Sequence, residues 1–198
     1  MIQAKRIFTI VLIVLLALAV GLGIHLLWNL WEEEQREEKN SVTFATLIEK
    51  YADEYDVPKE LVFAVIKVES GFDPEAESSV GALGLMQMMP KTFEWLTGEE
   101  HLDENLSFEK LTDPEISIRY GTYYLRYLYL KFENWDTVLA AYNGGEGNVA
   151  KWLADPECSD GNGNLTYIPF EETRNYVKKV NDAMAKYEND PLIRKEIK

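Results

Sequence analysis

The sequence predicts an all-α protein: several helices around one core, preceded by one membrane-length helix. Three observations carry this. Apolar residues recur at three- and four-residue spacing through most of the chain. Pro, Asp, Asn and Gly stand where such helices would begin and end. No stretch alternates convincingly with period two, and no repeat at solenoid spacing appears.

The first element runs over residues 7–28, from Ile7 to Trp28. This predominantly apolar run of 22 positions is long enough to cross a bilayer as a helix. Only His25 interrupts them, and Trp28 and Trp31 fall where an interfacial aromatic belt lies. The run is apolar on all faces, unlike a one-sided core helix. Lys5 and Arg6 precede it in segment 1–6, and the acidic EEEQREE follows. The positive-inside rule therefore places the N-terminus in the cytoplasm and the rest outside, as a single-pass protein. Ala17-Leu18-Ala19 offers a competing reading as a signal-peptidase site. Cleavage there would leave VGLGIHLLWNLW exposed, which favours an uncleaved anchor. Residues 29–43 read as a solvated acidic stalk.

The globular domain is expected over residues 44–187. Phe44, Leu47, Ile48, Tyr51 and Tyr55 make a helical stripe. Pro58 opens a helix that runs to Ser70 and stops at Gly71. Pro90 opens a short helix, KTFEWLT, closed by Gly98. Thr112-Asp113-Pro114 supplies a cap and an N1 proline for a long helix through Phe132. Its tyrosines at 120, 124 and 127 share one face, as a core stripe would. A tyrosine at the rim could also stack on sugars. Asp136 to Tyr142 reads as a short helix stopped by Asn143-Gly144-Gly145. Val149 to Leu153 makes another turn or two, and Glu171 to Lys186 the last long helix. Residues 188–198 read as a tail.

Composition narrows the function. A net charge of −14 argues against nucleic acid as a partner. With His25 in the apolar run, only His101 and Cys158 remain as N or S ligands, so no metal site or cofactor is expected. A histidine-dependent triad would rest on His101 in the polar loop GEEHLDENLS. Cys158 has no second cysteine to pair with. DGNGN resembles half a calcium loop, but Leu165 stands where glycine is needed, so a turn-rich loop is expected. Carboxylates are the best remaining candidates for acid–base chemistry.

One carboxylate is oddly placed. Leu61, Val65 and Glu69 are spaced by four, so Glu69 continues an apolar stripe into a helix C-terminus. Desolvation and the negative end of the helix dipole both disfavour its charge. An acid raised toward about 6 keeps a proton it can donate at neutral pH. Alone, the same residue also fits a frayed, exposed helix end.

Further motifs follow in order: GALGLMQMMP with Gly84 and Gln87, LAAYNGGEGN with Tyr142 and Asn143, and IPFEETRNYVKKV with Tyr176. With VESGF at Glu69 and Ser70, this series resembles the lytic transglycosylases with a soluble-lytic-transglycosylase (SLT) domain, related in fold to goose-type lysozyme. The resemblance covers roughly residues 44–187. It implies a lysozyme-like helical fold with Glu69 as the catalytic acid. It implies Ser78 near that acid, Met86, Gln87, Tyr142 and Asn143 along a groove, and Tyr176 approaching from the last helix. The implied substrate is the peptidoglycan glycan strand, cut without water to leave 1,6-anhydromuramyl ends. Two alternatives stay open: a lysozyme-type hydrolase using a second carboxylate such as Asp73, Glu75, Glu77 or Glu146, and a non-catalytic glycan-binding scaffold. Envelope or cell-wall machinery proteins are the partners that an anchored domain of this kind would meet.

Overall fold

The structure is a computed structural model that describes residues 2–102 and 104–188. The expected tail from 189 onward lies outside them. The chain forms two compact units, Met1–Lys39 and Asn40–Lys198. The first belongs to helix α1 (Ile2–Tyr55). It contains Leu15–Glu32, the one stretch among the described residues long and apolar enough to cross a membrane. The acidic segment after it is helical too. Its Glu, Gln, Arg and Lys residues are good helix formers, and neither Gly nor Pro occurs between Ile24 and Val57. The apolar stripe becomes visible only at Phe44 because core burial begins there, with Phe44, Ala45, Ile48, Tyr51 and Ala52 all buried.

The second unit is all-α, as expected. After the last turns of α1 come α2 (Lys59–Ser70), α3 (Pro90–Leu96), a 3-10 turn (Phe108–Thr112), α4 (Pro114–Phe132), α5 (Trp135–Gly144), α6 (Glu146–Leu153) and α7 (Glu171–Glu188). Helix α7 packs on α2 and α5, and α5 also packs on α4 and α6. In α2 the residues from Leu61 to Ile66 are buried without a break, which makes it the central helix. The main core gathers α1, α2, α4, α5 and α7 side chains. A smaller cluster of Met88, Phe93, Leu96, Leu111 and Tyr120 fastens α3 to α4.

Helix ends follow local chemistry. Gly71 closes α2 in the left-handed region at φ 57°, its N–H donating to the Lys67 carbonyl. Asp113 caps α4 by accepting the Glu115 N–H, with Pro114 at the first position. Asn134 caps α5 by accepting the Thr137 N–H, which starts that helix at Trp135. The expected stop at Asn143-Gly144-Gly145 is narrower than it reads. Gly144 is still helical, and only Gly145 (φ 86°) breaks the chain. Helix α6 then begins at once, three residues before Val149.

No β-strand forms among the described residues. Isolated antiparallel bridges join Glu77 to Leu83, Leu83 to Met88 and Ser159 to Leu165. The first two fold residues 77–88 into a compact turn structure between α2 and α3.

Candidate active site

The site is built around the C-terminal end of α2. Glu69 is the penultimate residue of that helix and is half-buried. Burial, offset in part by the Tyr176 hydroxyl, pushes its carboxyl up from the ordinary 4.5 to about 7. The helix dipole acts in the same direction as burial. Two tyrosines share this pocket. Tyr142 from α5 and Tyr176 from α7 both have hydroxyls pushed well up, first by burial and then by the nearby Glu69 charge. The Tyr176 hydroxyl is buried and makes no hydrogen bond of normal geometry, although it lies near enough to influence Glu69. Such a group can turn fully toward the carboxylate when that carboxylate is charged.

The GLMQ segment, residues 84–87, is held against this pocket by three helices. Tyr142 donates its hydroxyl to the Met86 carbonyl at 2.7 Å. The Met86 N–H donates to the Ser117 hydroxyl of α4 at 3.2 Å. Ser70, next to Glu69, donates to the Leu85 carbonyl at 2.9 Å. Gly84 is required by its setting: φ is +80°, and an added Cβ would stand 2.0 Å from the Leu111 carbonyl oxygen. Gln87 also has positive φ, 47°, and its amide donates to the Ala76 and Gly84 carbonyls at 2.9 and 3.0 Å. These bonds fix the loop before any ligand arrives.

The residues singled out from sequence thus fall into different places. Glu69, Tyr142 and Tyr176 meet in one pocket. Ser70 turns its hydroxyl to the loop backbone and so braces the acid. The Met86 side chain is fully buried against Gly121 of α4, and only its backbone joins the polar network. Ser78 accepts the Ala82 N–H at 2.9 Å within its own turn. Asn143 is exposed beside Tyr142. Gln87 is half-buried at the end of the loop.

Two of the four acids considered as second carboxylates are engaged elsewhere. Asp73 accepts the Glu75 N–H, and Glu146 pairs with Lys131 at 2.9 Å. Glu75 and Glu77 are exposed. The two influences that set the Glu69 pKa, burial and Tyr176, do not include another carboxylate. Among the described residues no group of His, Cys, Asp and Glu could hold a metal ion. Asp160, in the calcium-like loop, accepts the Asn162 and Asn164 N–H groups and so caps its own turn.

Sequence reasoning overlooked three contributors. Nothing in the local sequence singles out Ser117 or Thr173, yet Ser117 holds Met86 and Thr173 packs close to Gly144. Tyr124 read as core, but its ring lies 5.4 Å from that of Tyr142. Its spacing of four from Tyr120 gave no sign of this second neighbour.

A half-buried helix-end glutamate, the buried Tyr176, the half-buried Tyr142 and a rigid backbone loop define a carboxylate-based candidate site on a small helical scaffold. The chain belongs to the Transglycosylase SLT domain family, whose profile matches residues 46–162. The Soluble lytic murein transglycosylase of Escherichia coli (strain K12) is 36% identical over 155 residues, 77% of this chain and 24% of the relative. The Membrane-bound lytic murein transglycosylase C of Pectobacterium atrosepticum is 30% identical over 192 residues, 83% of this chain and 53% of the relative. The chain therefore spans about a quarter of its soluble relatives and about half of the membrane-bound one. Among solved structures, the 70-kDa soluble lytic transglycosylase in complex with bulgecin A matches with a TM-score of 0.68 and 36% identity, over 77% of this chain and 25% of that one. An inactive glutamate-to-glutamine mutant of lytic transglycosylase Slt from Pseudomonas aeruginosa matches with a TM-score of 0.64 and 33% identity, over 72% of this chain and 23% of that one.

Proposed function

We propose that this chain is a membrane-anchored lytic transglycosylase that cuts peptidoglycan strands between N-acetylmuramic acid and N-acetylglucosamine. The observation that carries the reading is the Glu69 carboxyl, kept protonated up to about pH 7 with no cation and no second carboxylate setting its pKa. Glu69 gives its proton to the glycosidic oxygen as the C1–O bond breaks. The resulting carboxylate takes the proton of the muramyl 6-hydroxyl. That oxygen closes onto C1 and leaves a 1,6-anhydro ring. Tyr176 steadies the carboxylate between the two steps, and Tyr142 holds the Met86 carbonyl in place.

Inverting hydrolysis would need a second carboxylate about 6.5–9.5 Å away, with room for a water. The engagement of Asp73 and Glu146 elsewhere favours the single-carboxylate route. The names of the relatives, and the inactive glutamate-to-glutamine neighbour, support the same chemistry. We take residues 44–187 as the catalytic domain, 7–28 as the anchor and 29–43 as the acidic link. The basic N-terminus then lies in the cytoplasm and the catalytic domain outside, where glycan strands and envelope proteins are within reach. The apolar stretch Leu15–Glu32 and the membrane-bound relative support the anchor.

Mass spectrometry of the products from purified glycan strands and full-length, detergent-solubilised protein tests this. Products lighter by one water than reducing ends are expected. Reducing ends would establish hydrolysis instead, and uncut strands would favour a scaffold.

A further inference from the structure

We propose that Trp95, backed by His101, Tyr127 and Tyr124, is a sugar-stacking platform that binds the glycan strand away from the point of cleavage. This rests on the reading of the chain as a glycan-cleaving enzyme and adds a binding subsite to it.

Trp95 is not placed as a core residue. Helix α3 buries Phe93 and Leu96 in the smaller cluster, whereas Trp95 belongs to neither cluster and stays 38% exposed. A tryptophan left at the surface costs apolar exposure that a polar residue at this position would avoid. Its ring is nevertheless firmly held. His101 meets it at 3.9 Å and Tyr127 at 4.7 Å, both edge to face, and Tyr124 stands edge-on at 6.2 Å.

The backing is fixed from behind. His101 Nδ1 is 3.2 Å from the Tyr123 hydroxyl. The loop carrying His101 is tied down where Leu102 donates its N–H to Leu96 and Glu104 its N–H to Thr97. Glu104 then pairs with Arg119 at 2.6 Å and accepts the Tyr120 hydroxyl at 3.0 Å. An exposed indole clamped this way keeps one orientation, so little freedom is lost when a flat ligand lies on it.

Two connections place the platform on the substrate path. Tyr124 touches both Trp95 and Tyr142, at ring distances of 6.2 and 5.4 Å, and Tyr142 shares the pocket of Glu69. The chain also runs directly from Gln87 through Met88 and Met89 into α3, so the loop beside the acid carries the helix that bears Trp95. Pyranose rings have an apolar C–H face and polar edges. The indole face suits the first, while His101 and the tyrosine hydroxyls offer hydrogen bonds to the second.

The test uses the full-length protein in detergent and purified glycan strands sorted by length. Trp95→Ala is expected to raise KM for long strands about tenfold, with kcat held within about twofold, and Trp95→Phe to recover part of the loss. In the Glu69→Gln background, binding of uncut strands should quench tryptophan fluorescence, and Trp95→Phe should remove most of that quench. An unchanged KM in Trp95→Ala, or a full quench surviving in Trp95→Phe, overturns the platform. A wild-type protein that cuts nothing would sink the enzymatic reading alone, because the fluorescence titration still reads Trp95.

Discussion

Two glutamates in this molecule each stand beside a tyrosine hydroxyl, and their fates are opposite. Glu115 lies in the first turn of α4, accepts the Tyr51 hydroxyl at 2.7 Å and pairs with Lys50 at 2.8 Å. Its carboxyl is held below the ordinary range, first by the Lys50 bond and then by Tyr51. Glu69 lies in the last turn of α2 near Tyr176, half-buried, and its carboxyl is pushed up to about 7. A tyrosine neighbour lowers both pKa values, so it is not what separates them. Burial, the missing cation and the opposite end of the helix dipole decide the difference. The fold uses Glu115 to tie α1 to α4, and leaves Glu69 with a proton to give.

Replacing each acid should expose the contrast most sharply in catalysis. Glu69→Gln is expected to lower formation of anhydro-ended products about a thousandfold at pH 7, measured by liquid chromatography and mass spectrometry. Glu115→Gln should leave product formation within about twofold. Comparable losses in both variants would erase the distinction.

Stability should separate them with opposite signs. Folded Glu69 keeps its proton up to about pH 7, whereas the unfolded chain releases it near 4.5. The residue therefore lowers stability progressively between those values, and fully above them. Glu69→Gln should be more stable than wild type by about 3 kcal/mol at pH 8 and about equal to it at pH 4, by denaturant unfolding. Glu115 has a depressed pKa, so its contribution is present above the ordinary carboxylate range and fades as pH falls through the folded value.

Tyr176→Phe sharpens the local account. Removing the hydroxyl that lowers the Glu69 pKa should move the alkaline limb of kcat/KM upward by about half a unit to one unit. The rate near neutrality should fall about tenfold, because the carboxylate formed in the first step loses its partner. A downward shift of the limb would contradict the role given to Tyr176. The smallest effect belongs to the surface pair. Glu115→Gln should lower the unfolding temperature slightly, by an amount that shrinks in high salt.

Only the Glu69 side of this contrast was legible in the sequence. The spacing of Leu61, Val65 and Glu69 put the acid on the buried side of α2, and Gly71 marked the helix end beside it. Asp113-Pro114 marked the start of α4 in the same way. Other features depend on long-range contacts that local pattern cannot carry. Nothing near Met86 reveals that its side chain would pack on Gly121, or that its carbonyl would receive Tyr142. Ser70 looked like a helix-end residue, and its bond to Leu85 appears only once the GLMQ loop folds back. The continuity of α1 through the acidic segment was hidden for another reason. Helical propensity there is high, but no apolar stripe announces it, since stripes record burial rather than helicity.

The most direct test is the titration of Glu69 itself. Carbon-13 NMR of glutamate-labelled full-length protein in detergent, with the Glu69→Gln variant used to assign the signal, reads its carboxyl as pH is varied. The account predicts a midpoint near 7, well apart from a Glu115 signal that titrates below the ordinary carboxylate range. A Glu69 midpoint near the ordinary 4.5 would mean that the acid carries no proton to donate at neutral pH, and the mechanism built on it would fail.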